Sequence, residues 1–371
     1  MNLLYYWRRI DGTLLLTILA LAGTGIMIIG SATHMNMVDY PGRFDFVMKQ
    51  GIFFLAGLIV AGFLMRYDYR ILYRWVPALY VINCIMLIVV RVAGTSALGA
   101  QRWIQIGPIT LQPSEFAKVL MIICLARLLA DHKGGFQTWK SLLPVVGMMV
   151  PPFFLVFIQP DLGTSLIFAA ICFGMLYVSG LSMKLVRRAL IGFVAVLPVV
   201  WFFLLHDYQQ KRILVLFNPN VDPFGSGYHV IQSKISIGSG GFIGQGLFEG
   251  TQSQLNFLPE NHTDFIFSVI GEELGFVGAI FLLFLYFLLL YRAIVISRSS
   301  GDAFGSLLAC GIFSMWLFQV FINVGMTLGI MPVTGIPLPF ISYGGSALMV
   351  NMICSGLLMN IYLRRKKLMF N

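Results

Sequence analysis

From residue 303 to residue 363 the chain carries no Asp, Glu, Lys or Arg. A water-soluble domain cannot cover its surface with such a stretch. At about 20 apolar residues per membrane crossing it holds two spans, joined by the Pro- and Gly-rich turn Met331–Phe340. The same pattern recurs upstream. Apolar runs lie at 12–33, 50–65, 75–90, 141–159, 162–183, 189–205 and 274–291, and the C-terminal pair is 303–328 and 341–363. A tenth, 112–130, is apolar around Glu115 and Lys118. Charged residues make up 11% of the chain, where ordinary globular domains run near a quarter. This excludes a soluble enzyme or a DNA-binding module. The expected fold is an all-α polytopic membrane protein of ten transmembrane helices. Residues 1–371 would form one integral membrane domain. The first apolar run is too long for the core of a cleavable signal peptide.

The net charge of +10 does not point to nucleic acid, because basic residues gather in the cytoplasmic loops of membrane proteins. Ten spans divide the 25 Lys and Arg unevenly. Seventeen fall on the side of the N-terminus, among them Arg8, Arg9, Arg66, Arg70, Arg74, Lys133, Arg187, Arg188, Lys366 and Lys367. Seven fall on the other side: Arg43, Lys49, Arg91, Arg102, Lys211, Arg212 and Lys234. Lys118 lies inside a span. Positive loops stay inside, so both termini are expected in the cytoplasm. The one long loop, 206–263 between helices seven and eight, is then external. Loops of that length usually carry function, and this one is expected to fold as a cap, with Tyr228–Ile237 as a short amphipathic piece on the membrane surface. Cys84, Cys124, Cys172, Cys310 and Cys354 stand far apart in apolar segments, which is packing rather than a disulfide or metal framework.

Ionisable groups within or at the rim of a membrane are costly and therefore functional candidates. Glu115 and Lys118 stand three apart on a helix and can pair; they either pin two helices or position a substrate group. Asp161, after Gln159-Pro160, can cap the next helix or pair with a basic loop residue such as Arg102. Glu260, His262 and Asp264 close the long loop, and their density suggests a general base at the rim of an external cavity. Asp264 opens an apolar run through Glu272 and Glu273 to Tyr291. Read as one helix, it puts Asp264 about 15 Å beyond Leu274 at 1.5 Å per residue. His262 reads as a hydrogen-bond partner, since no second His or Cys stands at ligand spacing. Arg102, Lys211, Arg212 and Lys234 face outward against the positive-inside trend. They are either solvated rim charges or contacts for an anionic group such as a pyrophosphate.

Four stretches carry a resemblance that covers nearly the whole chain in order. They are Arg102-Trp103-Ile104 through Gln112-Pro113-Ser114-Glu115-Phe116-Ala117-Lys118; Gln159-Pro160-Asp161-Leu162-Gly163-Thr164; His262-Thr263-Asp264-Phe265-Ile266-Phe267 with Gly271-Glu272-Glu273-Leu274-Gly275; and Asn323 through Ser346 with its repeated Gly and Pro. This pattern resembles the SEDS family, the shape, elongation, division and sporulation proteins. The short N-terminus and compact tail are most similar to its elongation branch.

The resemblance implies a peptidoglycan glycosyltransferase in the bacterial cytoplasmic membrane that polymerises lipid II on the outer face for cell elongation and shape. It places the essential external acid on Asp264, the intramembrane pair on Glu115 and Lys118, and the second loop acid on Asp161. It also implies a class B penicillin-binding transpeptidase and other elongation-complex membrane proteins as partners. The chemistry agrees with the residues. An acceptor hydroxyl needs a carboxylate to take its proton, and a leaving pyrophosphate needs cations: Arg102, Lys211, Arg212 or a divalent metal such as Mg or Mn. The alternatives are a lipid II flippase or other polytopic transporter, and a non-catalytic scaffold for wall synthesis. Transporters keep ionisable groups near the midplane and often show inverted repeats. Here the acids crowd the outer edge and no repeat is visible.

Overall fold

The computed structural model describes residues 10–34, 45–97, 100–107, 109–132, 134–205, 207–255 and 257–365. Arg8, Arg9, Arg43, Lys133, Lys366 and Lys367, named above for orientation, lie outside them, as does His206 at the start of the long loop.

Ten long helices dominate the described residues. They are α1 (Gly12–Ala32), α2 (Asp45–Arg66), α3 (Ile71–Ala93), α4 (Pro113–Asp131), α5 (Trp139–Ile158), α6 (Leu162–Val178) and α7 (Met183–Val199), then α12 (Gly275–Ser299), α13 (Ala303–Thr327) and α14 (Gly345–Leu363). Eight are long and apolar enough to cross a membrane. The other two are α4, which carries the Glu115–Lys118 pair, and α6, which has 17 residues. Starts are set by side-chain caps where the sequence offers an acid. Asp11 accepts from Leu14 N, Asp161 from Thr164 N and Asp302 from Gly305 N, each satisfying a free N–H of the first turn. Pro113 opens α4, where its missing N–H costs nothing.

The centre is α13 and α14. α13 lies against α12, α6 and α4; α14 lies along α2. Trp316 is wholly buried there, its Nε1 donating to Asn351 Oδ1 at 2.8 Å. The turn between these two helices is not a simple connector. Residues 331–344 fold back into the bundle, with Ile336, Leu338, Phe340 and Ile341 buried. Non-helical backbone at such depth is tolerated only where protein surrounds it, and four helices supply that cover. A Cβ on Gly25 of α1 would lie 2.6 Å from Phe340 O, and one on Gly163 of α6 would lie 2.9 Å from Thr334 O. Tyr286 of α12 donates to Pro339 O at 2.6 Å, and Gln50 of α2 donates to Ser342 O at 3.2 Å.

Three expectations from sequence change. First, residues 264–291 are not one helix. Residues 260–265 form a turn, α11 (Ile266–Glu273) follows, and the chain breaks at Gly275, φ +64°, before α12. The break lets the cap loop enter: Gln245 N donates to Glu272 O and Gly246 N to Glu273 O. Second, Tyr228–Ile237 belongs to a helix, α9 (Ser226–Ser239), whose buried face docks on α11. Ser233 Oγ is 2.6 Å from Ser268 Oγ, and Ser236 Oγ donates to Glu272. With α8 (Asp207–Leu214) and α10 (Thr251–Gln254), α9 makes the long loop a folded unit. Third, the helices are joined by a small sheet. β1 (Thr95–Ala97), β2 (Ala100–Ile106) and β3 (Ile109–Leu111) pair antiparallel in the order β1-β2-β3, with Thr95 opposite Trp103 and Ile104 opposite Leu111. Gly107, at φ +61°, makes the second turn.

Candidate active site

At one end of the bundle these elements enclose a cavity of about 480 Å³. β2 contributes Arg102, the start of α4 Glu115, the start of α6 Asp161, α8 Arg212, the 260–265 turn Glu260 and Asp264, and the folded-back segment Thr334–Pro337. Residues more than 200 positions apart thus share one wall.

Each acid is held differently. Asp161 caps α6 and is further tied by Thr164 Oγ1 at 2.9 Å and Ser114 Oγ at 3.3 Å, with Arg102 Nη1 at 3.9 Å. Arg102 also donates to the carbonyls of Gln159 and Pro160, so β2 is clipped to the α5–α6 corner. Both readings of Asp161 from sequence, cap and ion-pair partner, are realised together. Glu115 Oε1 accepts from Lys118 Nζ at 2.7 Å, while its Oε2 is buried with no partner among the described residues. Lys118 is fully buried behind it and does not reach the cavity wall.

Asp264 is the outlier. Its carboxylate makes no hydrogen bond or ion pair among the described residues. It rests on Gly335, which sits at φ +69° and whose absent Cβ would stand 3.1 Å from Asp264 Oδ2. Burial pushes the Asp264 carboxyl up to about 7; the Glu260 charge adds to the rise, and the Arg212 and Arg102 cations oppose it. A carboxylate titrating near neutrality is suited to general-base work. Burial draws the Arg212 guanidinium down, and the Arg102 charge adds to that effect. Two like charges lining one cavity are stabilised by an anion bound between them.

The structure brings together Asp264, Asp161, Glu115, Arg102 and Arg212. It does not bring Lys211 or His262 to the cavity. Lys211 is exposed on α8 beside Arg212. His262 packs against Phe46 and Tyr343, with ring centroids 5.1 and 5.8 Å away, in a three-ring cluster, and meets Asn261 Oδ1 through Nδ1 at 3.3 Å. Burial lowers the His262 imidazole pKa, so it is a neutral packing group supporting the turn. Lys234 is exposed on α9. Glu260 also lines the cavity, as do three features not singled out from sequence: Tyr208, Gln112 and the backbone around Gly335. Acid density flagged Glu260; nothing local flagged Gly335. Among the described residues no three His, Cys, Asp or Glu side chains gather as a metal cage. A divalent ion here would find at most a carboxylate or two, the arrangement in which substrate phosphates complete the coordination shell.

Comparison with known proteins agrees over the whole chain. The FTSW_RODA_SPOVE family, described as cell cycle protein, matches residues 12–367. The peptidoglycan glycosyltransferase MrdB of Escherichia coli K12 is 42% identical over 366 residues, covering 98% of this chain and 96% of MrdB. A chain of a solved peptidoglycan synthase complex, described as coordinating polymerization and crosslinking, is 33% identical with a TM-score of 0.82, covering 96% of this chain and 99% of that one. The rod shape determining protein RodA of Thermus thermophilus is 29% identical with a TM-score of 0.72, covering 97% of this chain and 99% of its own. The chain belongs to the FtsW, RodA and SpoVE family of cell cycle proteins, the same SEDS family that its motifs resemble.

Proposed function

We propose that this chain is a peptidoglycan glycosyltransferase of the bacterial cytoplasmic membrane, polymerising lipid II into glycan strands for cell elongation and shape. The observation that carries the mechanism is the unpartnered Asp264 carboxylate, set in a cavity with Arg102 and Arg212. Asp264 takes the proton from the acceptor sugar hydroxyl. The hydroxyl oxygen bonds to the anomeric carbon of the donor as the bond from that carbon to the pyrophosphate oxygen breaks, with inversion. Arg102 and Arg212 receive the charge that develops on the leaving undecaprenyl pyrophosphate. Glu115, oriented by Lys118, and Asp161, fixed as a cap, supply polar contacts to the sugars. Lys211 and His262 take no direct part.

The topology we favour has ten spans, counting α4 and α6 with the eight longer apolar helices, and both termini in the cytoplasm. Residues 1–371 are one membrane domain, and 206–263 form its external cap. The excess of Lys and Arg on the N-terminal side supports this. It puts the cavity at the outer face, beside the bilayer that holds the polyprenyl tail. A class B penicillin-binding transpeptidase is the expected partner. The solved neighbour that couples polymerization to crosslinking supports that reading.

The test uses purified wild type and Asp264→Ala with lipid II and the partner transpeptidase, the latter blocked in its own chemistry. Glycan chains are resolved on a gel. Chains from wild type and none from a folded variant are expected. Equal chains from both would remove Asp264 from the role of base.

A further inference from the structure

The Asp264 carboxylate has no side-chain partner to aim it, so its position depends on the backbone of the 260–265 turn. That backbone is held from the other end of the chain. Three consecutive carbonyls of the turn each accept one hydrogen bond from residues 323–343. His262 O accepts from Tyr343 N at 2.9 Å, Thr263 O from Ser342 Oγ at 2.6 Å, and Asp264 O from Asn323 Nδ2 at 2.9 Å. Two of the three donors are side chains. Asn323 is fully buried near the end of α13 and spends the second hydrogen of the same nitrogen on Ile336 O at 2.8 Å. It therefore ties Asp264 to the residue after Gly335, the glycine that the carboxylate rests on. Ser342 Oγ accepts from Leu338 N at 2.8 Å while it donates to Thr263 O, so it relays the packed segment to the turn.

We infer that Asn323 and Ser342 are positioning residues for the polymerisation, fixing the Asp264 turn against the Thr334–Pro337 wall so that the carboxylate faces the acceptor hydroxyl. The inference rests on Asp264 being the base. Neither side chain lines the cavity or touches substrate. Removing one leaves binding contacts in place and lets the carboxylate drift, and a misplacement of about 1 Å can cost on the order of 100-fold in rate.

The test measures lipid II polymerisation by the full chain with its transpeptidase partner, for Asn323→Ala, Ser342→Ala and Ser342→Thr. For the two alanine variants, kcat is expected to fall about 10- to 100-fold, with KM within about twofold of wild type. Ser342→Thr keeps the hydroxyl and stays within about threefold of wild type. Glu260 on the turn, Asp161 on α6, Arg212 on α8 and Arg102 on β2 are the charged groups that act on Asp264. The alanine variants leave them unchanged but let water reach the carboxylate, so the acid limb of activity moves to lower pH. A mere loss of folded protein would scale the rate and leave that limb where it was. Unchanged kcat in both alanine variants would overturn the inference, as would a loss that shifts no limb and that threonine does not restore. If Asn323→Ala does not fold, the Ser342 pair decides alone. An Asp264→Ala enzyme with wild-type rate would instead defeat the base assignment itself. An inactive Asp264→Ala enzyme beside fully active alanine variants would defeat only the positioning inference.

Discussion

Asp264 stands just before α11 and Glu272 in its last turn, eight residues on; both are acids in protein surroundings, yet they are opposites. Glu272 is wholly buried and fully satisfied. It accepts from Gln252 N at 2.7 Å, Ser253 N at 3.1 Å and Ser236 Oγ at 2.9 Å, and so caps α10 and pins the cap to the bundle. Its neighbour Glu273 does the same work less completely. Oε1 accepts from Ser31 Oγ at 2.6 Å, Oε2 is buried without a partner among the described residues, and burial raises its pKa. Asp264 opens on a cavity and receives no donor. A buried acid surrounded by donors is a structural joint, because its charge is already spent on N–H and O–H groups. An acid walled in without donors has lone pairs to offer a substrate and a pKa lifted toward neutrality. Satisfaction, more than burial, separates the two roles.

That contrast can be broken first at Asp264. Asp264→Asn should lower kcat by about 10²- to 10⁴-fold, the usual worth of a general base, while the protein stays folded. Its stability should change in the direction opposite to its activity. A carboxyl whose folded pKa, about 7, exceeds its ordinary value stabilises the fold below that ordinary value and loses the contribution as pH rises through 7. Asp264→Asn should therefore melt above wild type at pH 8, and the gap should narrow as pH falls below 7 and close only at about pH 4. A lower melting point at pH 8 would contradict the strain assigned to this residue. Glu272→Ala should do the reverse. It leaves buried N–H groups of α10 unpaired, at about 1–3 kcal/mol for a stranded donor, so the melting temperature falls at every pH. Residual activity should track the fraction folded.

The next test sharpens the cavity boundary. Arg212→Ala should cost about 10- to 100-fold in kcat/KM, as expected for a charge-assisted contact to an anionic group. The adjacent Lys211→Ala should cost no more than about threefold, as expected of an exposed charge. Equal losses would mean that α8 turns on binding substrate. The smallest effect concerns Glu260. Its charge helps raise Asp264, so Glu260→Gln should move the acid limb of the pH–rate profile below that of wild type by a fraction of a unit. An unmoved limb would remove Glu260 from the titration of the base.

Local physics made much of this legible. Apolar runs between charges mark the long helices, because a membrane crossing must be apolar throughout its length, but charges near the ends cut the runs short: α7 begins six residues before its run and α12 ends eight residues after its own. The Glu115–Lys118 pair follows from a three-residue spacing and the Asp161 cap from its place before Leu162, and both depend only on neighbours in sequence. The density of Glu260, His262 and Asp264 marked the turn but could not rank its members. The two acids face the cavity and the imidazole packs behind.

What the sequence determined by itself was therefore the long apolar helices, the Asp161 cap and the candidate acids, since each is fixed by chemistry within a few residues. Only the tertiary structure decided that the chain breaks at Gly275, that residues 331–344 fold back into the core, and that Lys211 stays outside while Arg212 lines the wall. It alone set Gly335 against Asp264 and carried Asn323 and Ser342 to the carbonyls of the turn. Those features rest on contacts between segments up to hundreds of residues apart, where periodicity and capping carry no information and close packing settles which atoms meet.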